Sequence, residues 1–203
     1  IMSLEKMSLN NVTLIQTEES FLKVYDLPEE FNETIKKVIE ETDNKLLVNP
    51  PILVYGKVRR QRRCIAFLSN DSIGYRYSGQ LAKSQRLTEH SKLVLDYINE
   101  KFNTDYNGIL INKYLNGKDY IGRHSDNESA LSKVGVMAIS FGAVRKFRIR
   151  DKNTKKIVKD IPTLPNKIIH MGGEFQKEFT HEIPIERKVK EPRWSFTFRK
   201  HLI

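Results

Sequence analysis

The seven residues Arg193-Trp194-Ser195-Phe196-Thr197-Phe198-Arg199 alternate without a break between polar and aromatic side chains. A period of two belongs to a β-strand, whose successive side chains point to opposite faces. One face then carries Trp194, Phe196 and Phe198, and the other Arg193, Ser195, Thr197 and Arg199. Such a strand has to separate two environments. The aromatic face needs a hydrophobic layer, and two guanidinium groups are costly to bury unless anions meet them. An exposed edge strand would relieve that cost with water. A buried strand would need a ligand, and arginine suits a carboxylate because its planar fork bonds both oxygens.

The chain from residue 107 onward supplies the rest of a β fold. Asn107-Gly108 turns the chain, Leu110, Asn112 and Tyr114 alternate with Ile109, Ile111 and Lys113, and Asn116-Gly117 is a hairpin signal. Further strands are expected over about 121–126, 134–141, 145–150, 156–161, 167–171, 178–185 and 193–200. Short strands punctuated by Gly, Asn and Pro indicate an antiparallel jelly roll. Upstream, Val12 to Ile15 reads as a short strand. Leu27-Pro28-Glu29-Glu30 opens a helix that runs to about Thr42, with Phe31, Ile35, Val38 and Ile39 on one face. Thr88 caps a second helix, whose Val94, Leu95, Ile98 and Phe102 keep helical spacing. The expected fold class is α+β: a jelly-roll core (a double-stranded β-helix) over 107–203, with an N-terminal extension over 1–106 whose helices pack on it, all in one structural unit.

His124-Ser125-Asp126 adds chemistry to that frame. Two residues apart on an extended strand, an imidazole and a carboxylate face the same side and can share a metal ion. A second imidazole from a distant strand, His181, completes two His and one carboxylate, the set that holds Fe(II) with open positions for oxygen and a co-substrate. A His-x-Asp triplet is common by chance, so its meaning depends on the rest of the chain. Iron activates oxygen only with a source of electrons. A dicarboxylic keto acid can chelate the metal and place its far carboxylate on a cation of the 193–199 strand, while Asn112 and Tyr114 can add hydrogen bonds. The remaining histidines serve less well: His90 lies on a helix face, His201 near the terminus, and His170 in a strand with no acid at metal spacing.

Charge narrows the partner. The formal net charge is +10, which favours a polyanion, nucleic acid ahead of a membrane surface. No apolar run reaches membrane-spanning length, and the N-terminus lacks the layout of a signal peptide. Cys64 is the only cysteine, which excludes an internal disulfide and a four-cysteine zinc site and points to a reducing compartment. An intracellular protein of nucleus or cytoplasm is expected. Lys57-Val58-Arg59-Arg60-Gln61-Arg62-Arg63 reads either as a solvated loop or as a ribbon that grips phosphates. Tyr75-Arg76-Tyr77-Ser78-Gly79 sets two rings on one face, as packing or as a platform for bases.

The motifs together resemble the AlkB family of Fe(II)- and 2-oxoglutarate-dependent dioxygenases, and most of all its branch that repairs duplex DNA in nuclei. The resemblance covers about Tyr55 to Arg199. It rests on Asn112-x-Tyr114, Asp119-x-Ile121-Gly122-x-His124-x-Asp126-x-Glu128, Ser140-Phe141-Gly142-Ala143-x-Arg145-x-Phe147, His181-x-x-Pro184 and Arg193-x-x-x-Thr197-Phe198-Arg199. It implies that His124, Asp126 and His181 bind iron and act in catalysis, and that Asn112, Tyr114, Arg193, Thr197 and Arg199 hold 2-oxoglutarate. Arg193 would take the distal carboxylate, and Arg199 would lie nearer the chelating end. A nucleotide-recognition lid is implied over about 52–82, with Tyr75, Tyr77, Ser78, Arg59, Arg60, Arg63 and Glu128 as substrate contacts. The implied reaction is oxidative demethylation of 1-methyladenine and 3-methylcytosine in DNA or RNA by a monomer. The N-methyl group leaves as formaldehyde, and O2 and 2-oxoglutarate are consumed.

Three positions depart from the family pattern. Arg62 stands where Pro is frequent, and Asn127 where the related branch has a second Asp. Val58-Arg59-Arg60 stands where that branch has a finger that fills the gap left by a flipped base, and no aromatic wedge is expected there. A protein side-chain hydroxylase, a noncatalytic nucleic-acid-binding module and a metal-assisted hydrolase are the alternatives to a demethylase.

Overall fold

A computed structural model describes residues 10–126 and 134–201. The chain begins with the hairpin β1 (Asn11–Gln16) and β2 (Ser20–Asp26), followed by α1 (Phe31–Thr42). Next come β3 (Leu47–Val48), the hairpin β4 (Pro51–Val54) and β5 (Lys57–Arg60), and β6 (Cys64–Leu68). The hairpin β7 (Gly74–Tyr77) and β8 (Gln80–Gln85) leads into α2 (Glu89–Phe102). Then follow β9 (Gly108–Tyr114), β10 (Ile121–His124), β11 (Val136–Gly142), β12 (Lys146–Asp151), β13 (Ile157–Pro162) and β14 (Lys167–Gly173). The single-turn α3 (Phe175–Glu178), β15 (Phe179–Ile183) and β16 (Arg193–Arg199) complete it.

Among the described residues the strands form three sheets, of which two pack as a jelly roll and the third is the β4–β5 hairpin. The large one runs β1-β2-β14-β11-β16-β9-β6-β8-β7, with β3 added on β6, and the small one runs β10-β15-β12-β13. The helices α1 and α2 cover the outer face of the large sheet. There Ile35, Val38, Val94 and Ile98 meet Ile109, Ile111, Met137, Phe196 and Phe198 in one core. A second core lies between the sheets, where Leu22, Ile169 and Met171 meet Ile149, Ile161 and Phe179. β16 is bonded to β11 on one side and β9 on the other. Its aromatic face packs under the helices and its arginine face turns inward, so the exposed-edge alternative falls.

Local signals explain the helix ends. Thr88 Oγ1 accepts the Ser91 N–H, and Ser91 Oγ accepts the Thr88 N–H in return, a closed capping box at the start of α2. At α1 the expected opening at Leu27-Pro28 is instead a turn, with Pro28 O accepting from Phe31 N–H and Glu29 O from Asn32 N–H. The segment before residue 107 does more than back the core with helices. β2 pairs with β14 and β6 with β9, so it extends the large sheet on both sides.

Candidate metal centre

His124 and His181 are register partners across the β10–β15 ladder, with ring centroids 4.3 Å apart. Asp126 is not placed by strand alternation, contrary to the expected strand over 121–126, because β10 ends at His124. The carboxylate still meets both imidazoles: His124 Nε2 lies 3.9 Å from Oδ1 and His181 Nε2 lies 3.5 Å from Oδ2. One donor atom from each of the three residues lies within 4.8 Å of the other two. His124 Nδ1–H donates to Gly122 O at 2.8 Å, which leaves Nε2 as the lone pair facing the centre.

The charge states suit a divalent ion. Burial pushes the His124 imidazole down to about 3, reinforced by His181 and opposed by Asp126. Burial lowers His181 as well. Burial disfavours the Asp126 carboxylate, yet the Arg199 guanidinium and the facing imidazoles hold it down to about 2. Two neutral imidazoles and one carboxylate are the deprotonated ligands that such an ion requires, and this donor set fits Fe(II).

The cavity beside these residues, about 570 Å³ with its open mouth, is walled by the inner faces of β16 and β9. Arg193, Ser195, Thr197 and Arg199 line one side, with Asn112 and Tyr114 adjacent. Arg199 Nη2 lies 3.5 Å from Asp126 Oδ1, at the metal end. At the other end Arg193 donates Nη2–H to Ser140 Oγ at 2.8 Å and lies over the Tyr114 ring at 5.4 Å. Its buried Nε and Nη1 have no partner among the described residues, and neither has Asn112 Oδ1. Burial draws the Arg193 guanidinium down to about 10. A buried cation with two unused donors, in a cavity that ends at a metal-ligating cluster, fits a dicarboxylate that chelates the ion with its other end.

The substrate side divides the basic run. All of β5 is exposed, including Arg59 and Arg60, and Arg60 Nη1 donates to Asn49 O at 3.3 Å. Arg63 goes inward: it is 2 % exposed, donates Nε–H to Gln61 Oε1 at 2.8 Å, lies over the Tyr77 ring at 4.9 Å and lines the cavity. It is therefore no phosphate grip. Tyr75 and Tyr77 stack, with centroids 6.2 Å apart at 14°, and Tyr77 stands edge-on to His124 at 6.0 Å. Ser78 is exposed in the β7–β8 turn, where it and Gly79 take φ of +44° and +75°, the conformation of a tight hairpin turn. Its side chain does not line the cavity. Asn127 and Glu128 lie outside the described residues.

Two findings were not read from the sequence. An aromatic ring does stand on the β4–β5 hairpin: Tyr55 occupies its tip, 101 % exposed, with φ of +49° before Gly56 at +73°. It stands three residues before Val58-Arg59-Arg60, the stretch expected to occupy the finger position. Ser140, quoted above only as part of a motif, is the side chain that holds Arg193.

Comparison with known proteins agrees with this geometry. A family model described as the 2OG-Fe(II) oxygenase superfamily matches residues 21–199. The chain is 28 % identical over 160 residues to the human DNA oxidative demethylase ALKBH2, covering 75 % of this chain and 61 % of that protein. It is 33 % identical over 116 residues to the Bos taurus alpha-ketoglutarate-dependent dioxygenase alkB homolog 3, covering 53 % and 41 % respectively. The chain thus spans less than two thirds of either relative. The solved structure of OsALKBH1 superposes with a TM-score of 0.59 at 15 % identity, over 94 % of this chain and 100 % of that one, and shares its fold. The chain belongs to the 2OG-Fe(II) oxygenase superfamily as an AlkB-type member, a family whose cofactors are Fe(II), 2-oxoglutarate and O2.

Proposed function

We propose that the chain is a monomeric oxidative demethylase that reverses 1-methyladenine and 3-methylcytosine in DNA. RNA with the same lesions offers the same reacting atoms. The observation that carries this reading is the aromatic platform at the metal cluster: Tyr77 stands edge-on to His124 with Arg63 over its ring, beside a hairpin of exposed cations. A flat base fits such a platform, and the cations suit its phosphates.

Each part of the chain has a task in that reaction. Arg59 and Arg60 hold the backbone of the nucleic acid, and Tyr77 stacks on the extruded base. Asn112, Tyr114, Arg193, Thr197 and Arg199 orient 2-oxoglutarate, while His124, Asp126 and His181 hold Fe(II). Bound there with 2-oxoglutarate and O2, the iron supplies the oxidation that converts N-methyl to N-hydroxymethyl, with succinate and CO2 as co-products. The hydroxymethyl group then leaves as formaldehyde and the base is restored. Asp126 and His181 are 7 % and 5 % exposed, which keeps bulk water from the reacting side.

Tyr55 favours duplex as the substrate. A bulky side chain in the left-handed region costs roughly 1–2 kcal/mol, and an exposed hairpin tip offers no packing in return. A ring so placed fits the gap that a flipped base leaves behind, and flipping has an unstacking cost of a few kcal/mol.

The test is formaldehyde release from methylated single-stranded and duplex DNA and RNA, with succinate measured in parallel. Stoichiometric formaldehyde and succinate are expected. Succinate without formaldehyde from every oligonucleotide would sink the demethylase and favour a protein hydroxylase. Tyr55→Ala should lower duplex turnover about tenfold more than single-strand turnover; equal losses would remove the wedge.

A further inference from the structure

The β10–β15 ladder sets His124 opposite His181 and then stops. Beyond it, side chains take over the hydrogen bonds that a ladder would have made. Ser125 Oγ–H donates to Phe179 O, and the Asp126 N–H donates to Gln176 Oε1, each at 2.8 Å. Asp126 is thus the one member of the triad that the sheet does not position. We propose that Gln176 is a positioning residue for the iron site: its carboxamide oxygen replaces the missing ladder partner and fixes where the Asp126 carboxylate stands. This rests on the assignment of His124, Asp126 and His181 as iron ligands.

Three features make Gln176 a fixed point. The amide has one possible orientation, because a backbone N–H can meet only its oxygen, and its Nε2 is directed to Met171 Sδ at 3.7 Å. The helical turn that carries it is anchored inside by Phe175, which is fully buried. From outside, Lys152 clamps the same turn: its N–H donates to Glu178 O at 2.9 Å and its Nζ to Gln176 O at 3.0 Å. The acceptor offered to Asp126 therefore belongs to a turn held by both the core and the β12–β13 connection. His181 lies only five residues beyond Gln176, so one short segment sets two of the three ligands.

Without that acceptor the N–H of a nearly buried residue would lose its partner, and the loop after His124 would relax. The carboxylate would then have to be drawn into place by the ion itself. Loss of a partner that orients a metal ligand typically weakens metal affinity about 10–100-fold.

The experiment uses the full chain without oxygen. Mn(II) binding is measured by equilibrium dialysis, Fe(II) with 2-oxoglutarate is followed by its visible charge-transfer band, and the metal-free melting temperature is recorded. Gln176→Leu should raise the Mn(II) dissociation constant about tenfold or more, with the metal-free melting temperature lowered by no more than the few degrees that one lost buried hydrogen bond costs. Gln176→Glu keeps an acceptor and should return affinity to within about threefold of wild type. Wild-type affinity in Gln176→Leu would overturn the proposal, as would Gln176→Glu binding as weakly as Gln176→Leu. If Gln176→Leu does not fold, Gln176→Asn, which withdraws the oxygen by one methylene, decides between the same outcomes. His181→Ala separates the two levels: if it binds Mn(II) like wild type, the iron assignment itself fails. If it loses Mn(II) and the Gln176 variants do not, only the role of Gln176 falls.

Discussion

Replacing Arg193 by Met would separate two opposite contributions of one side chain. Arg193 is 4 % exposed, bonded through Nη2 to Ser140 Oγ, and without protein partners at Nε and Nη1 among the described residues. Exchanging buried charge for well-packed apolar groups is often neutral or stabilising, by roughly 1–4 kcal/mol. The hydrogen bond lost at Ser140 offsets about 1 kcal/mol of that. For a chain of this size 1 kcal/mol moves the melting temperature by about 2–4 °C, so ligand-free Arg193→Met should melt at or several degrees above wild type. With 2-oxoglutarate the sign reverses. Two charge-assisted bonds to a carboxylate at about 1.5–3 kcal/mol each total roughly 3–6 kcal/mol, or about 100- to 10,000-fold in Kd. The assay is a thermal melt with saturating Mn(II) and 2-oxoglutarate at about 100 times the wild-type Kd. Wild type should gain about 2.7 kcal/mol, or roughly 5–11 °C. A hundredfold weaker site should gain only about 0.4 kcal/mol, near 1 °C. A variant that keeps the wild-type upshift, or that melts far lower without ligand, would refute the reasoning.

Replacing both Arg59 and Arg60 by Ala should flatten the dependence of log K on log salt for duplex DNA by up to about 1.8, since each phosphate contact contributes about 0.9. An unchanged slope would return the run to a solvated loop. His170 is lowered below its ordinary value of 6.5 by burial, opposed by its bond to Val134 O. The unfolded chain therefore takes up this proton first as the pH falls, and the stability that His170 lends above about 6.5 is lost on acidification. His170→Leu should lose less melting temperature than wild type between about pH 7.5 and 5.5, and equal losses would show that His170 does not titrate on unfolding.

The residues that were legible in advance carry local signals. The alternation of 193–199 identified a strand and assigned both of its faces, and the structure gives it the range Arg193–Arg199. Thr88 announced α2 because a capping box is closed within four residues. What escaped depends on contacts distant in sequence or on shape. The position of Asp126 is set by Gln176, 50 residues away. Five cations between Lys57 and Arg63 look alike in a sequence, yet Arg63 turns into the cavity because β6 begins at the next residue and is buried throughout. Tyr55 escaped because tight hairpin tips favour Asn, Asp and Gly, and a tyrosine there runs against local preference. β2 offers only a brief alternation, and its partner β14 lies far along the chain.

β16 is a partition with no spare width. It runs through the middle of the large sheet, paired with β9 over Arg193–Arg199 and with β11 over Arg193–Phe198. Because its side chains alternate, an insertion or deletion of one residue would exchange the two faces from that point on. Guanidinium groups would enter the layer under the helices, and phenyl rings would line the co-substrate cavity. Exchanges within a face ask only for similar size and polarity, whereas a change of length alters fold and chemistry together. The connection from β15 does not absorb such a change either: Glu186 N–H donates to Gly117 O, Val189 O accepts from Gly117 N–H and Pro192 O accepts from Ala143 N–H, which fixes the count of residues leading to Arg193.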